Sequence, residues 1–158
     1  MVGLAKASAV FHGAEHTIPD LLRYFQGIRS EDAFRRMCVL DAIILNPDRH
    51  YGNFGVLFDT TTMEILRMAP VFDNNKSLLP ELDNDQLVTH EWYIARCRPR
   101  IGRDFILTAR GLLTDEIRAD LERMRDFTFR QHPKIQAEQM RLDALSGIVR
   151  ERIRQSLT

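Results

Sequence analysis

The chain reads as a single, mostly helical α+β domain of 158 residues. Three observations predict this. Helical periodicity with capping residues recurs at both ends of the chain, and a short apolar strand and its antiparallel return lie in the middle. No low-complexity tract, repeat or composition shift marks a second domain.

Residues 1–16 carry no clear period and read as a lead-in, with the domain proper over 17–158. Thr17 can cap a helix with Pro19 in its first turn. Leu21, Leu22, Tyr24 and Phe25 follow, and Gly27 stops it. Ser30-Glu31-Asp32 begins a second helix. Its apolar positions are Ala33, Met37, Leu40 and Ile44, with Phe34, Cys38 and Leu45 widening the stripe. Asn46-Pro47 ends it, because a residue before proline avoids the helical region. Phe54–Phe58 reads as a strand, 59–62 as a turn, and 64–67 as the antiparallel return. Residues 69–73 read as a further extended piece and 74–90 as loop. From Asp104 the chain is helical again. Thr114 caps a helix whose core face is Ile117, Leu121 and Met124, and a last helix over roughly 136–155 shows the apolar positions Leu142, Leu145, Ile148, Val149 and Ile153.

Composition narrows the function. Twenty-two basic residues balance 22 acidic ones, which excludes a polybasic nucleic-acid protein and an acidic tail. The longest uninterrupted apolar run is four residues, Ala42–Leu45 among them, so no membrane span is predicted. No export signal is visible, and Cys38 and Cys97 lie far apart. Reduced thiols and a cytoplasmic location are expected. The five histidines show no ligand spacing with cysteine, which argues against a zinc site. Nineteen of the basic residues are Arg, and only Lys6, Lys76 and Lys134 are Lys.

The chemistry concentrates in 45–57, Leu-Asn-Pro-Asp-Arg-His-Tyr-Gly-Asn-Phe-Gly-Val-Leu, a loop held between a helix and a strand. Asp48 and Asn53 stand in D-x-x-x-x-N spacing, which protein kinases use in the catalytic loop. There the Asp takes or orients the acceptor hydroxyl proton and the Asn holds Mg²⁺. Such a pair also occurs by chance as a cap and a turn. A second element, Ala69-Pro-Val-Phe-Asp73-Asn-Asn-Lys76, follows the hairpin and supplies another hard oxygen ligand. Two such elements in order, joined by a hairpin, are far more specific than either alone.

The motifs N-P-D-R-H-x-x-N-F-G and A-P-x-F-D-N resemble the C-terminal lobe of HipA-like serine/threonine kinases, many of them toxins of toxin–antitoxin pairs. Asp-Arg-His is also similar to the catalytic loop of phosphatidylinositol kinases, although Phe-Asp-Asn stands here where those enzymes usually carry Asp-Phe-Gly. The resemblance covers roughly 20–155. It implies a protein-kinase-like C-lobe with a small β hairpin beside the catalytic loop, using Mg²⁺ and ATP. It further implies Asp48 as base, Asn53 and Asp73 as metal ligands, and Arg49 and His50 as loop-positioning or phosphate-facing residues. Lys76 lies beside the metal Asp as a candidate nucleotide contact. A full kinase of this type also has a lobe with a phosphate-covering loop and a lysine. The residues ahead of Leu45 show no glycine-rich loop and only Lys6, so the chain reads as a C-lobe whose activity awaits an N-lobe.

Bland readings stand beside these. His50 fits a packing role that fixes the loop, and Arg49 fits a structural carboxylate pair as well as a phosphate. Asp41, on an apolar stripe one turn before the loop, fits a hydrogen bond to that loop. The basic run Arg96-Cys97-Arg98-Pro99-Arg100, with Arg103, is either solvated or docks an acidic peptide. The expected partners are a protein substrate or an antitoxin-like protein, or a separate N-lobe chain or second copy. Nucleic acid enters only through a partner. The alternative function is a non-catalytic partner-binding or regulatory module.

Overall fold

The computed structural model describes residues 1–11, 16–134 and 137–158. The elements run β1 (Val2–Lys6), α1 (Ala7–Val10), α2 (Ile18–Gly27), α3 (Glu31–Ile44), β2 (Gly55–Asp59), β3 (Ile65–Met68), α4 (Asn84–Val88), α5 (Glu91–Ile94), α6 (Phe105–Leu112), α7 (Asp115–Arg123) and α8 (Gln139–Leu157). The chain is mostly helical with one small antiparallel sheet, as the sequence predicts. No helix among the described residues is long and apolar enough to cross a membrane.

Local chemistry explains the helix starts. Thr17 and Asp20 form a reciprocal capping box on α2, with Pro19 in the first turn. Asp104 and Thr114 cap α6 and α7 through the Leu107 and Ile117 N–H groups. Helix α3 is the centre of the molecule and packs on α2, α6 and α8. Its buried residues are Phe34, Met37, Cys38, Val39, Asp41, Ala42 and Ile43. Ala33 and Leu40, expected on its apolar stripe, are exposed. The stripe instead centres on Phe34, Cys38, Asp41 and Leu45, and so carries a carboxylate into the core. Burial pushes the Cys38 thiol far up, which makes it an inert core group. Phe34 stacks on Phe25 with centroids 4.9 Å apart, and Phe54, the last residue before β2, is buried beside both.

Three expectations need correction. The lead-in over 1–16 contains a strand. β1 pairs antiparallel with β2 from Val2↔Asp59 to Lys6↔Gly55, so the hairpin is the inner and outer part of a sheet ordered β1-β2-β3. Residues 12–15 of that lead-in lie outside the described residues. A Cβ on Gly55 would sit 2.1 Å from the Ala5 carbonyl oxygen, so only glycine admits β1 at this distance. Next, 74–90 is not loop throughout: Asp83 and Gln86 form a capping box that starts α4 within it, and α5 follows just beyond. Residues 69–73 in turn lie outside the strands, although the Ala69 N–H still donates to the Gly55 carbonyl of β2 at 2.8 Å. Two smaller differences concern single residues and a boundary. Met124 is exposed as the C-cap of α7, and α8 begins at Gln139, with residue 136 outside the described residues.

Candidate functional site

The candidate site is the loop between α3 and β2, and its geometry starts at the end of α3. Leu45 takes a left-handed conformation, φ 52°, and turns the chain out of the helix. Asn46 follows fully buried. Its amide donates to Asp41 Oδ1 at 3.1 Å, and its Oδ1 accepts the Asp48 N–H at 3.1 Å. His50 N–H donates to the Asp48 carbonyl and Asn53 N–H to the His50 carbonyl, both at 2.9 Å. The loop therefore folds as two tight turns that bring residues 48 and 53 to one end. The Ser8 N–H donates to the Tyr51 carbonyl and Ala7 N–H to that of Phe54, both at 2.8 Å, which ties the start of α1 to the same loop.

Arg49 organises this region. It is 2% exposed. Nε and Nη2 form a bidentate pair with Asp41, each at 2.9 Å. Nη1 donates to the Asn53 carbonyl at 2.6 Å and to the Phe72 carbonyl at 2.5 Å, and Nη2 also donates to Asn74 Oδ1. A guanidinium has five N–H donors, and all five are used inside the protein. Of the two roles expected for Arg49, loop-positioning and phosphate-facing, this geometry fits the first. The side chain joins α3, the 48–53 loop and the 72–74 segment. Burial pulls the Asp41 carboxyl above the ordinary carboxylate range, and the Arg49 and Asn46 bonds oppose that rise.

The other candidates lie around this anchor. Asn53 is buried; its Nδ2 donates to the Asp48 carbonyl at 2.9 Å, and among the described residues nothing donates to its Oδ1. Asp73 is exposed on a left-handed backbone, φ 57°, between two residues that Arg49 grips, Phe72 and Asn74. Leu78 and Leu79 are left-handed too. The Leu78 N–H donates to the Ile44 carbonyl at 2.7 Å and Leu79 is buried, so the 73–79 segment is pinned to the end of α3. Non-glycine residues in this region are uncommon and concentrate at functional sites. Asp48 is half-buried and meets Arg100 Nε at 3.2 Å through Oδ1. His50 Nδ1 accepts the Gly52 N–H at 2.9 Å, which assigns the proton of the neutral ring to Nε2, 4.0 Å from Asp48 Oδ2. Lys76 is exposed and pairs with Glu81 at 3.3 Å.

Among the described residues no group of three or more His, Cys, Asp and Glu side chains is arranged to hold a metal ion. A Mg²⁺ bridged to phosphates does not need one, since one or two protein oxygens with phosphate and water complete its shell. The Asn53 Oδ1 and the Asp73 carboxylate fit that demand by donor chemistry. Beside the loop opens a groove of about 960 Å³, lined in part by His50, Tyr51, Arg100 and Arg103.

Sequence reasoning weighed Asp41 correctly but missed two partners. Asn74 reads as a solvated loop residue, yet it holds the Arg49 guanidinium. Arg100 reads as part of a surface cluster, yet it contacts Asp48. Only the Asp41 position on an apolar stripe hinted at the network.

No protein-family model and no curated protein sequence matches the chain. Among solved structures it is similar to the crystal structure of a Helicobacter pylori proinflammatory kinase, CtkA. The TM-score is 0.59 at 16% identity, over 99% of this chain and 70% of that one. At that identity the likeness concerns architecture: the mostly helical α+β chain has a kinase-like fold.

Proposed function

We propose that the chain is a phosphotransferase lobe of the HipA-like serine/threonine kinase type, moving the γ-phosphoryl of ATP to a protein hydroxyl. The observation that carries this is the Arg49 clamp, which fastens the Asp48–Asn53 loop and the Asp73 segment onto one buried guanidinium. In-line phosphoryl transfer is mostly positioning, so the parts must share one rigid frame.

In this reading Asp48 takes the acceptor hydroxyl proton as the acceptor oxygen bonds the γ-phosphorus and the bond to the ADP oxygen breaks. His50 steadies the loop through the Gly52 N–H and keeps Nε2–H near Asp48. Asn53, oriented by its bond to the Asp48 carbonyl, offers Oδ1 to Mg²⁺, and Asp73 offers its carboxylate. The ion, when bound, neutralises charge developing on the phosphate oxygens. Lys76, three residues after Asp73, is a further phosphate contact once released from Glu81.

Calorimetric titration with Mg·ATP, wild type beside Asp73→Ala, tests the reading. Binding that falls at least tenfold in the variant supports it. Binding unchanged in the variant removes Asp73 from the metal role, and no binding by a folded wild type rejects a nucleotide site in this chain.

A further inference from the structure

The basic run of the sequence divides in two in the structure. Arg96 stands over the Trp92 ring, 5.7 Å from its centroid, and Arg98 donates to the Ala95 and Cys97 carbonyls at 2.8 and 2.9 Å. Arg100 and Arg103, both exposed, instead line the groove beside the candidate loop. Gly102 between them has φ +83°, and a Cβ there would meet Thr108 Oγ1 at 2.4 Å. A left-handed glycine thus packs this turn against α6 and sets the two arginines on the groove wall. Ile18 and Leu22 of α2 and Leu107 of α6 supply apolar lining, and His50 and Tyr51 mark the end at the candidate loop. The other ionisable lining groups among the described residues are Asp104, which stays charged while accepting the Leu107 N–H at 2.9 Å, and His16, His50 and Tyr51.

We propose that this groove is the docking site for the acceptor: an extended peptide segment with a Ser or Thr hydroxyl at the Asp48 end. It carries an apolar side chain against Ile18, Leu22 and Leu107, and Asp or Glu residues read by Arg100 and Arg103. The proposal rests on the phosphotransferase reading above. Charge complementarity selects the occupant, because the described lining carries two guanidinium charges against one carboxylate, Asp104, whose Oδ1 is turned to the α6 N-terminus. Arg100 gives the selection a second consequence. It now contacts Asp48 Oδ1 at 3.2 Å, and an acidic residue of the acceptor that draws it away leaves that oxygen open to the hydroxyl. An acidic flank then raises affinity and uncovers the base together.

Fluorescence anisotropy on the whole chain tests this, with labelled serine peptides of one apolar core flanked by Asp/Glu or by Lys/Arg, at low ionic strength. The wild type should prefer the acidic peptide by about tenfold, the combined effect of two exposed charge pairs. Arg100→Glu with Arg103→Glu should invert the preference, and Arg100→Lys with Arg103→Lys should keep most of it. Equal binding of both peptides, a basic preference, a preference unmoved by charge reversal, or no peptide binding overturns the proposal. Mg·ATP titration of the same samples separates the two ideas. Nucleotide binding without the acidic preference sinks the groove alone, whereas an acidic preference without nucleotide binding sinks the phosphotransferase reading.

Discussion

Two arginine–aspartate pairs flank the candidate loop, and they differ in burial. Arg49 and Asp41 meet at 2.9 Å with side chains 2% and 7% exposed. Arg100 and Asp48 meet at 3.2 Å with side chains 61% and 30% exposed. In the first pair both charges are out of water, every donor is spent, and neither partner can leave without stranding the other. In the second, water competes for both partners, so the contact is weak and exchangeable. One pair builds the frame and the other responds to what enters it. The same residue types therefore take opposite roles, and burial decides which.

Breaking the buried pair should give the largest effect. Arg49→Ala leaves Asp41 charged and unpaired in the core and frees the Asn53 and Phe72 carbonyls, so a loss of about 3–5 kcal/mol is expected. Urea denaturation followed by circular dichroism measures it, and a loss under about 1 kcal/mol would place the frame elsewhere. The double variant Asp41→Leu with Arg49→Met removes both charges and should recover much of that stability. It should not recover Mg·ATP binding if the clamp is what aligns Asn53 with Asp73.

Acidity sharpens the same contrast. The folded-state pKa of Asp41 is raised by burial. A raised carboxyl favours folding below its unfolded value and loses that contribution as pH climbs through the folded value. Arg49→Met removes the main opposing pull, so Asp41 rises further. The stability gap between wild type and variant should be narrow near about pH 5 and wider near about pH 8. A gap that is flat with pH would show that Asp41 is not the group left stranded.

The parts of the fold legible in the sequence are those written in local chemistry. Thr17, Asp104 and Thr114 announce their helices because a cap is a contact three residues long. The turn residues 59–62 announce the hairpin in the same way. Strand β1 was not legible. Its five residues alternate exposed and half-buried against a partner strand 49 to 57 positions away, and its fit depends on a glycine in that strand. The candidate site shows the same division. Asp48, Asn53 and Asp73 were visible as spacing. The Arg49 role stayed even between carboxylate and phosphate, because spacing cannot say whether a guanidinium faces in or out. Asp41 in a core stripe was the one residue that leaned toward the answer, and Asn74, twenty-five positions from Arg49, had no local signal at all.

Gly102→Ala addresses the scaffold of the exposed pair. The new Cβ meets Thr108 Oγ1 and occupies a left-handed backbone, so a cost of roughly 1–2 kcal/mol is expected. Denaturation measures the cost, and pairing the substitution with Thr108→Ala separates crowding from backbone strain. Relief by the second change assigns the cost to crowding, and no relief assigns it to φ.

The smallest effect is the one that defines the comparison. Arg100→Gln removes the exposed contact with Asp48, and global stability should move by less than about 0.5 kcal/mol, because water already solvates most of that side chain. What should move is binding of the acidic peptide, because one of the two groove arginines loses its charge. Fluorescence anisotropy should show a loss of about threefold for this single substitution. High salt should shrink that loss by screening. A destabilisation as large as that of Arg49→Ala would make the two pairs equivalent. Unmoved peptide binding would leave the Arg100 contact indifferent to what enters the groove, and the division into a frame and a responsive contact would fail at its weaker half.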